Sequence, residues 1–157
     1  PGEEAWRKRF SGSINKAEID AVHELVTYFI RQEVVSEAEL GVITPYRGQR
    51  SMIDDSLPEY GDLEVSTVDG FQGRERDSII FSTVNTETGG MRFAGNKNRF
   101  NVATTRPKRR FVMVGNRDAI KSNAPMGNML KKFIRYTEQQ GRIYDWQSGA
   151  WATRKRA

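Results

Sequence analysis

Apolar positions in this chain follow two rhythms. Ile19, Val22, Val26, Phe29 and Ile30 recur at helical spacing. Ahead of them stands Asn15-Lys-Ala-Glu18, a capping box in which Asn15 accepts from a first-turn amide while Glu18 reaches back to the cap. Together they predict a helix from Asn15 to about Gln32. Asn128 to Gln140 repeats the period in Met129, Leu130, Phe133, Ile134 and Tyr136, and Gly141 stops it. Elsewhere apolar residues run together as strands. Leu40–Thr44, Leu63–Thr67, Ser78–Val84 and Phe111–Val114 are short, and Ile79, Ile80 and Phe81 are contiguous, as in a strand buried on both faces.

The intervening segments complete the pattern. Pro45 suits the first turn of a helix running from Tyr46 to Leu57. After the turn at 57–62, about ten residues separate the second and third strands, room for a tight crossover with a single helical turn. Asn85–Asn96 reads as an excursion or hairpin, and Arg99–Thr105 as a short helix ending before Pro107. Arg117–Ser122 predicts one or two helical turns, and Ile143–Trp151 either a last strand or a segment draped over the core. No element is assigned to Pro1–Ser13, and 152–157 is a basic tail. Alternating helices and strands predict an α/β fold: a three-layer parallel sheet with helices on both faces. Such sheets bind ligands at the carboxyl ends of their strands. Val65–Gly115, where apolar runs lie beside Gln, Gly, Glu, Asn, Thr and Arg, is expected to deliver polar groups to one edge.

A chain of 157 residues suits one domain over 1–157. With no cysteine and only His23, disulfides, thiolate metal sites, His-rich metal clusters and histidine triads are set aside, and no metal ligands are assigned. His23, next to the apolar stripe, reads as structural or surface. No apolar run approaches the roughly 20 residues that cross a bilayer, and no signal segment is seen, so no membrane partner and an intracellular setting are expected. The formal charge is +5, and Arg92, Lys97, Arg99, Arg106, Lys108, Arg109, Arg110 and Arg117 follow one another with no acid between them. That run is either a polyanion site or a solvated basic face.

Thr44, Tyr46, Gln49 and Arg50 fall at or just beyond the end of the first strand, where they are either ligand groups or a turn threonine followed by a surface helix. Gly-x-x-x-x-Gly-Lys-Ser/Thr is absent, so the phosphates of any bound nucleoside triphosphate must be cradled elsewhere.

Gly41-Val-Ile-Thr-Pro-Tyr-Arg-Gly-Gln-Arg50, Val65-Ser-Thr-Val-Asp-Gly-Phe-Gln-Gly-Arg-Glu-Arg-Asp77 and Asn98-Arg-Phe-Asn-Val-Ala-Thr-Thr-Arg106 resemble motifs IV, V and VI of superfamily 1 helicases. The branch is the one containing the nonsense-mediated-decay helicase and its DNA-replication relatives, and the resemblance covers Ser11 to Asn116. It implies a RecA-like domain, P-loop NTPase-like but lacking its own phosphate loop, and the second of a two-domain motor. ATP with magnesium would be shared with a missing first domain, which is one expected partner. Single-stranded DNA or RNA is the other.

By motif, Arg50 and Arg106 would touch the γ-phosphate as arginine fingers. Gln49, Gln72, Gly73 and Glu75 would border the nucleotide, Glu75 being otherwise a surface ion-pair partner. Thr44, Pro45 and Tyr46, with Ser66, Thr67, Val68 and Asp69, would border the strand; Tyr46 either stacks on it or packs on the sheet. Lys108, Arg109 and Arg110 either add phosphate attraction or are solvated. Two departures stand out: Pro107 replaces the Ala that usually follows the finger, and Gly2-Glu-Glu4 stands almost at the start, as if the chain were cut from a larger helicase. A helicase-like binding module without catalysis is the alternative. A nuclease is disfavoured because Asp54-Asp55, Asp62 and Asp69 fall in separate elements without metal-ligand spacing.

Overall fold

The computed structural model describes residues 14–84, 94–147 and 150–153. The expected excursion at 85–93, the start of the chain and the basic tail beyond 153 lie outside the described residues.

Helix α1 spans Lys16–Arg31 and is capped by Asn15, whose side chain accepts from the Glu18 amide at 3.2 Å. Strand β1 is Leu40–Thr44, followed by α2 at Arg47–Ser56. Pro45 therefore lies outside the helix, ahead of the N-cap Tyr46, and not in its first turn. Strand β2 is Glu64–Thr67 and β3 is Arg76–Ser82. Helix α3 covers Lys97–Thr105 and β4 covers Pro107–Val114, with α4 at Arg117–Asn123 and α5 at Met129–Gln139.

The four strands form one parallel sheet in the order β2-β1-β3-β4. Alternate residues of each strand serve opposite faces. Val42, Val65, Ile80 and Val114 meet Ile19, Val22 and Val26 of α1 and Ile53 of α2. Ile43, Ile79 and Phe81 meet Phe71, Phe100, Ile120, Leu130 and Ile134 on the other face. The three layers expected from the pattern are thus present. The crossover from β2 to β3 uses the single turn expected of it, a 3-10 turn at Asp69–Phe71.

Two expectations at β4 change. Pro107 opens the strand, so β4 is longer than its apolar core. This is tolerated because β4 is an edge strand and proline sits at its first position, where a missing donor disturbs least. For the same reason Phe111, Val112 and Met113 are only half-buried. The segment after α5 does not extend the sheet. It forms a separate antiparallel pair, β5 at Tyr144–Gln147 and β6 at Ala150–Thr153, tied to α1 by Trp146 Nε1 donating to Glu24 Oε2 at 2.8 Å.

The second face is held by aromatics. Phe100 packs edge-on against Phe81, Phe111 and Phe133, with centroids 5.8 to 6.2 Å apart. Phe100→Ala is expected to lower unfolding free energy by about 3–5 kcal/mol, from lost transfer energy and the cavity left behind. Urea unfolding checks this; a loss below about 1 kcal/mol would mean that Phe100 does not hold α3 to the sheet.

Candidate functional site

Thr44 and Thr67 end β1 and β2 side by side at the carboxyl edge of the sheet. The backbone there is locked. Val68 N donates to Thr44 O at 3.0 Å, Ser66 Oγ to Thr67 O at 3.1 Å, and Gly70 N to Thr67 Oγ1 at 3.1 Å. Thr44 Oγ1 is buried without a hydrogen-bond partner among the described residues. Pro45 is buried beside it, and Tyr46 is half-buried as the N-cap of α2. The Val68 side chain is in the core, leaving only its backbone for a ligand. Asp69 is exposed and pairs with Arg99 at 3.6 Å. The start of motif IV and the first half of motif V are therefore brought together at one edge.

Gln72, Gly73, Glu75 and Arg106 are at the other edge. Because β2 and β3 are parallel, the segment joining them must carry the chain from the carboxyl end of one to the amino end of the next. Gln72, Gly73 and Glu75 are exposed on that return, with Gly73 at φ +76, a conformation that favours glycine. Arg76 N then donates to Arg106 O at 3.2 Å. Arg106 follows α3 at φ −85, ψ −29, so Pro107 does not push it out of the helical region. Its Nε is buried without a partner among the described residues. Within 65–115, the residues that the motif resemblance divides between nucleic acid and nucleotide thus fall at two edges, where the pattern of apolar runs alone predicts one.

Arg50 lies in the first turn of α2, where its Nε donates to Val65 O at 3.0 Å and its guanidinium faces Asp54 at 3.6 Å. It lines a cleft of about 500 Å³ along the outer side of β2, together with Asp54, Asp62, Glu64, Arg74 and Arg76. Arg106 is not among the lining residues. Three cations face three carboxylates, so the cleft alone is no strong anion trap. Glu64 takes both Arg74 and Arg76, the latter at 2.5 Å.

To reach Glu64 the Arg76 side chain crosses β1 at Gly41. A Cβ there would stand 2.9 Å from Ile79 Cδ1 and 3.3 Å from Arg76 Cγ. The guanidinium also lies over the Phe71 ring, 5.8 Å from its centroid. Sequence reasoning passed over this arrangement, although a glycine inside a strand is a signal of close approach.

Gln49 faces inward. It is fully buried, its Oε1 accepting from Asn15 N at 2.8 Å and its Nε2 donating to Asn15 O at 3.2 Å and Ser82 Oγ at 3.1 Å. Contact with a ligand would require opening these bonds. The expected capping box is accordingly half realised: Gln49 satisfies the Asn15 amide, and Glu18 turns into the core. There Glu18 accepts from Ser82 Oγ at 2.6 Å, Thr83 Oγ1 at 3.2 Å and Val84 N at 2.9 Å. Burial pushes its carboxyl up to about 7, partly opposed by the bonds from Ser82, Val84 and Thr83. Asn15 Nδ2 donates to Val84 O at 3.0 Å, so both backbone groups of Val84 are held while it sits at φ +71. That is a left-handed conformation unusual for a β-branched residue.

Part of the basic run finds acids in space. Arg109 and Arg110 pair with Asp77 at 3.2 and 3.1 Å, and Arg117 pairs with Asp118 and Glu138. His23 is half-buried on α1, and no metal-binding group of carboxylates and histidine occurs among the described residues. No helix among them is long and apolar enough to cross a membrane.

A family model described as an AAA domain matches residues 2–118. The chain belongs to the AAA domain family. Several of its relatives are helicases by name. It is 32% identical over 153 residues to the ATP-dependent helicase upf1 of Schizosaccharomyces pombe, covering 92% of this chain and 16% of that protein. It is 39% identical over 138 residues to the Regulator of nonsense transcripts 1 homolog of Arabidopsis thaliana, covering 82% and 11%. An archaeal protein of Methanocaldococcus jannaschii, the uncharacterized ATP-dependent helicase MJ0104, is 35% identical over 131 residues, covering 83% and 19%. This AAA domain chain therefore spans less than a fifth of each of these relatives, and the similarity to superfamily 1 helicases read from its motifs agrees with their names.

Two outcomes test the buried groups. Glu18 binds its proton more tightly when folded, so its contribution to stability is full below about 4.5 and is lost as pH rises to about 7. Glu18→Gln should flatten the unfolding free energy across that window, and an unchanged pH profile would remove Glu18 as its source. Gly41→Ala is expected to cost about 1–3 kcal/mol by overpacking; a neutral effect in denaturant unfolding would show that Arg76 has another route to Glu64.

Proposed function

We propose that this chain is the second, C-terminal RecA-like domain of an ATP-dependent superfamily 1 helicase, acting on single-stranded nucleic acid. The observation that carries this is the crossover 68–75. At one end Val68 is bonded to Thr44 O, and at the other Arg76 N is bonded to Arg106 O. One short segment thereby joins a hydroxyl-lined edge to a turn carrying an arginine.

Thr44, Ser66 and Thr67 supply hydroxyls and backbone groups suited to phosphate oxygens, a grip without base information. Pro45, Tyr46, Val68 and Asp69 shape that edge. Arg50, in the cleft along β2, and Arg106, at the other edge, are the candidate fingers, with Gln72, Gly73 and Glu75 bordering the nucleotide on the side of Arg106. Gln49 serves the site by holding the start of α1 against α2. ATP with magnesium fits this half-site only in part: Arg106 has an unsatisfied buried Nε, while the cleft at Arg50 has its cations matched by carboxylates. The phosphate cradle and magnesium ligands belong to a first RecA-like domain, the expected partner. When ATP is bound between the two, guanidinium groups from this side stabilise charge developing on the γ-phosphate.

In a protein that joins this domain to one with a phosphate loop, Arg106→Ala should lower nucleic-acid-stimulated ATP turnover by about 10³ to 10⁵. ATP affinity should change far less. Steady-state ATPase assays with nucleotide-binding titrations check this, and undiminished turnover would sink the finger assignment. A protein with no stimulated ATPase at all, in the presence of its phosphate-loop domain, would favour a pure binding module.

A further inference from the structure

Arg99, Arg109, Arg110 and Arg117 of the basic run have acid partners, whereas another cationic face has none among the described residues. Met126, Gly127, Asn128, Lys131, Lys132 and Arg135 line a second cleft of about 220 Å³. Lys131 Nζ donates to Ala124 O at 3.3 Å, and neither the Lys132 nor the Arg135 side chain makes an ion pair or hydrogen bond among the described residues. Glu138, further along α5, is already taken by Arg117 and Lys121. Lys131 and Lys132 also fall in the opening of α5, whose first turn carries no acid, so they oppose the helix dipole. Met126 beside them is 99% exposed. Nothing among the described residues rewards this clustering of charge, which points outward to an anion.

The position of the cleft identifies the anion. A Cβ on Gly95 would meet Asn128 Oδ1, so the opening of α5 touches the opening of α3. Helix α3 runs from there towards Pro107, the amino end of β4. The two openings therefore lie towards the carboxyl edge of the sheet, the edge that carries Thr44 and Thr67.

We propose that Lys131, Lys132 and Arg135 form a second phosphate-contact surface, extending the nucleic-acid track along the carboxyl edge beyond β3 and β4, with Met126 offering apolar contact to a base or sugar. This rests on the nucleic-acid reading of that edge. Such contacts release counterions, each lowering the salt slope of single-strand binding by about 0.7 when removed.

The test is fluorescence anisotropy of labelled oligo(dT) and oligo(U) with the full chain between about 50 and 200 mM salt. Lys132→Glu combined with Arg135→Glu should weaken binding about tenfold or more at the lower salt and reduce the slope by about 1.4, the sum for two phosphates. Both side chains are exposed, so the melting temperature should be unchanged. Lys132→Arg with Arg135→Lys, which keeps the charge, should bind as the parent does. Equal affinity and slope in the reversed variant overturn the surface while leaving the proposed function standing. Absence of binding by the parent chain overturns both. If the reversed variant loses binding to poly-glutamate but keeps it to the oligonucleotides, the face belongs to an acidic protein instead and the proposal falls.

Discussion

A carboxyl group with no cation beside it among the described residues joins three elements of this fold. Glu18 arrives on α1, accepts from Ser82, Thr83 and Val84 at the end of β3, and shares Ser82 with Gln49 of α2. Every polar atom brought into such a place must find a partner or lose the hydration it leaves behind. The knot meets that demand with hydroxyls and amides. Its effect is geometric: the openings of α1 and α2 are fixed against the carboxyl edge, and Gln49 is fixed one residue from Arg50.

How far this could be read from the sequence varies with the range of the interaction. The helix α1 was plain from its period, and β3 from its contiguous apolar residues, since both signals are local. The crossover of one turn followed from the length between strands. Glu18 was misjudged because a capping box is a local motif and its actual partners are 64 to 66 residues away. A clue was present: Glu18 stands four residues before Val22, on the buried side of the stripe. Within motif V, the residues that the resemblance assigns to nucleic acid and to nucleotide separate for a reason of topology. The motif is continuous in sequence, and its two halves part because β2 and β3 run parallel on either side of β1.

Charge shows the same lesson. Eight cations without an acid between them look like a patch along the chain, yet the pairing of β3 with β4 places Asp77 beside Arg109 and Arg110, and the turn at 69–71 places Asp69 beside Arg99. Lys132 and Arg135, which pair with no acid among the described residues, are inconspicuous in a helix read only for its apolar stripe. Local counting of charge fails where a sheet brings distant segments to the same level.

The conformation of Val84 has a consequence for how the molecule assembles. A valine at φ +71 is disfavoured by about 1–2 kcal/mol in an isolated chain. It becomes acceptable when Asn15 and Glu18 close on its carbonyl and amide from 69 and 66 residues away. Contacts so distant in sequence carry a heavy loop-closure cost before they are rewarded. The residue leading out of β3 thus keeps its shape only while α1 is docked, and the outline of the carboxyl edge depends on that long-range contact as much as on local preference.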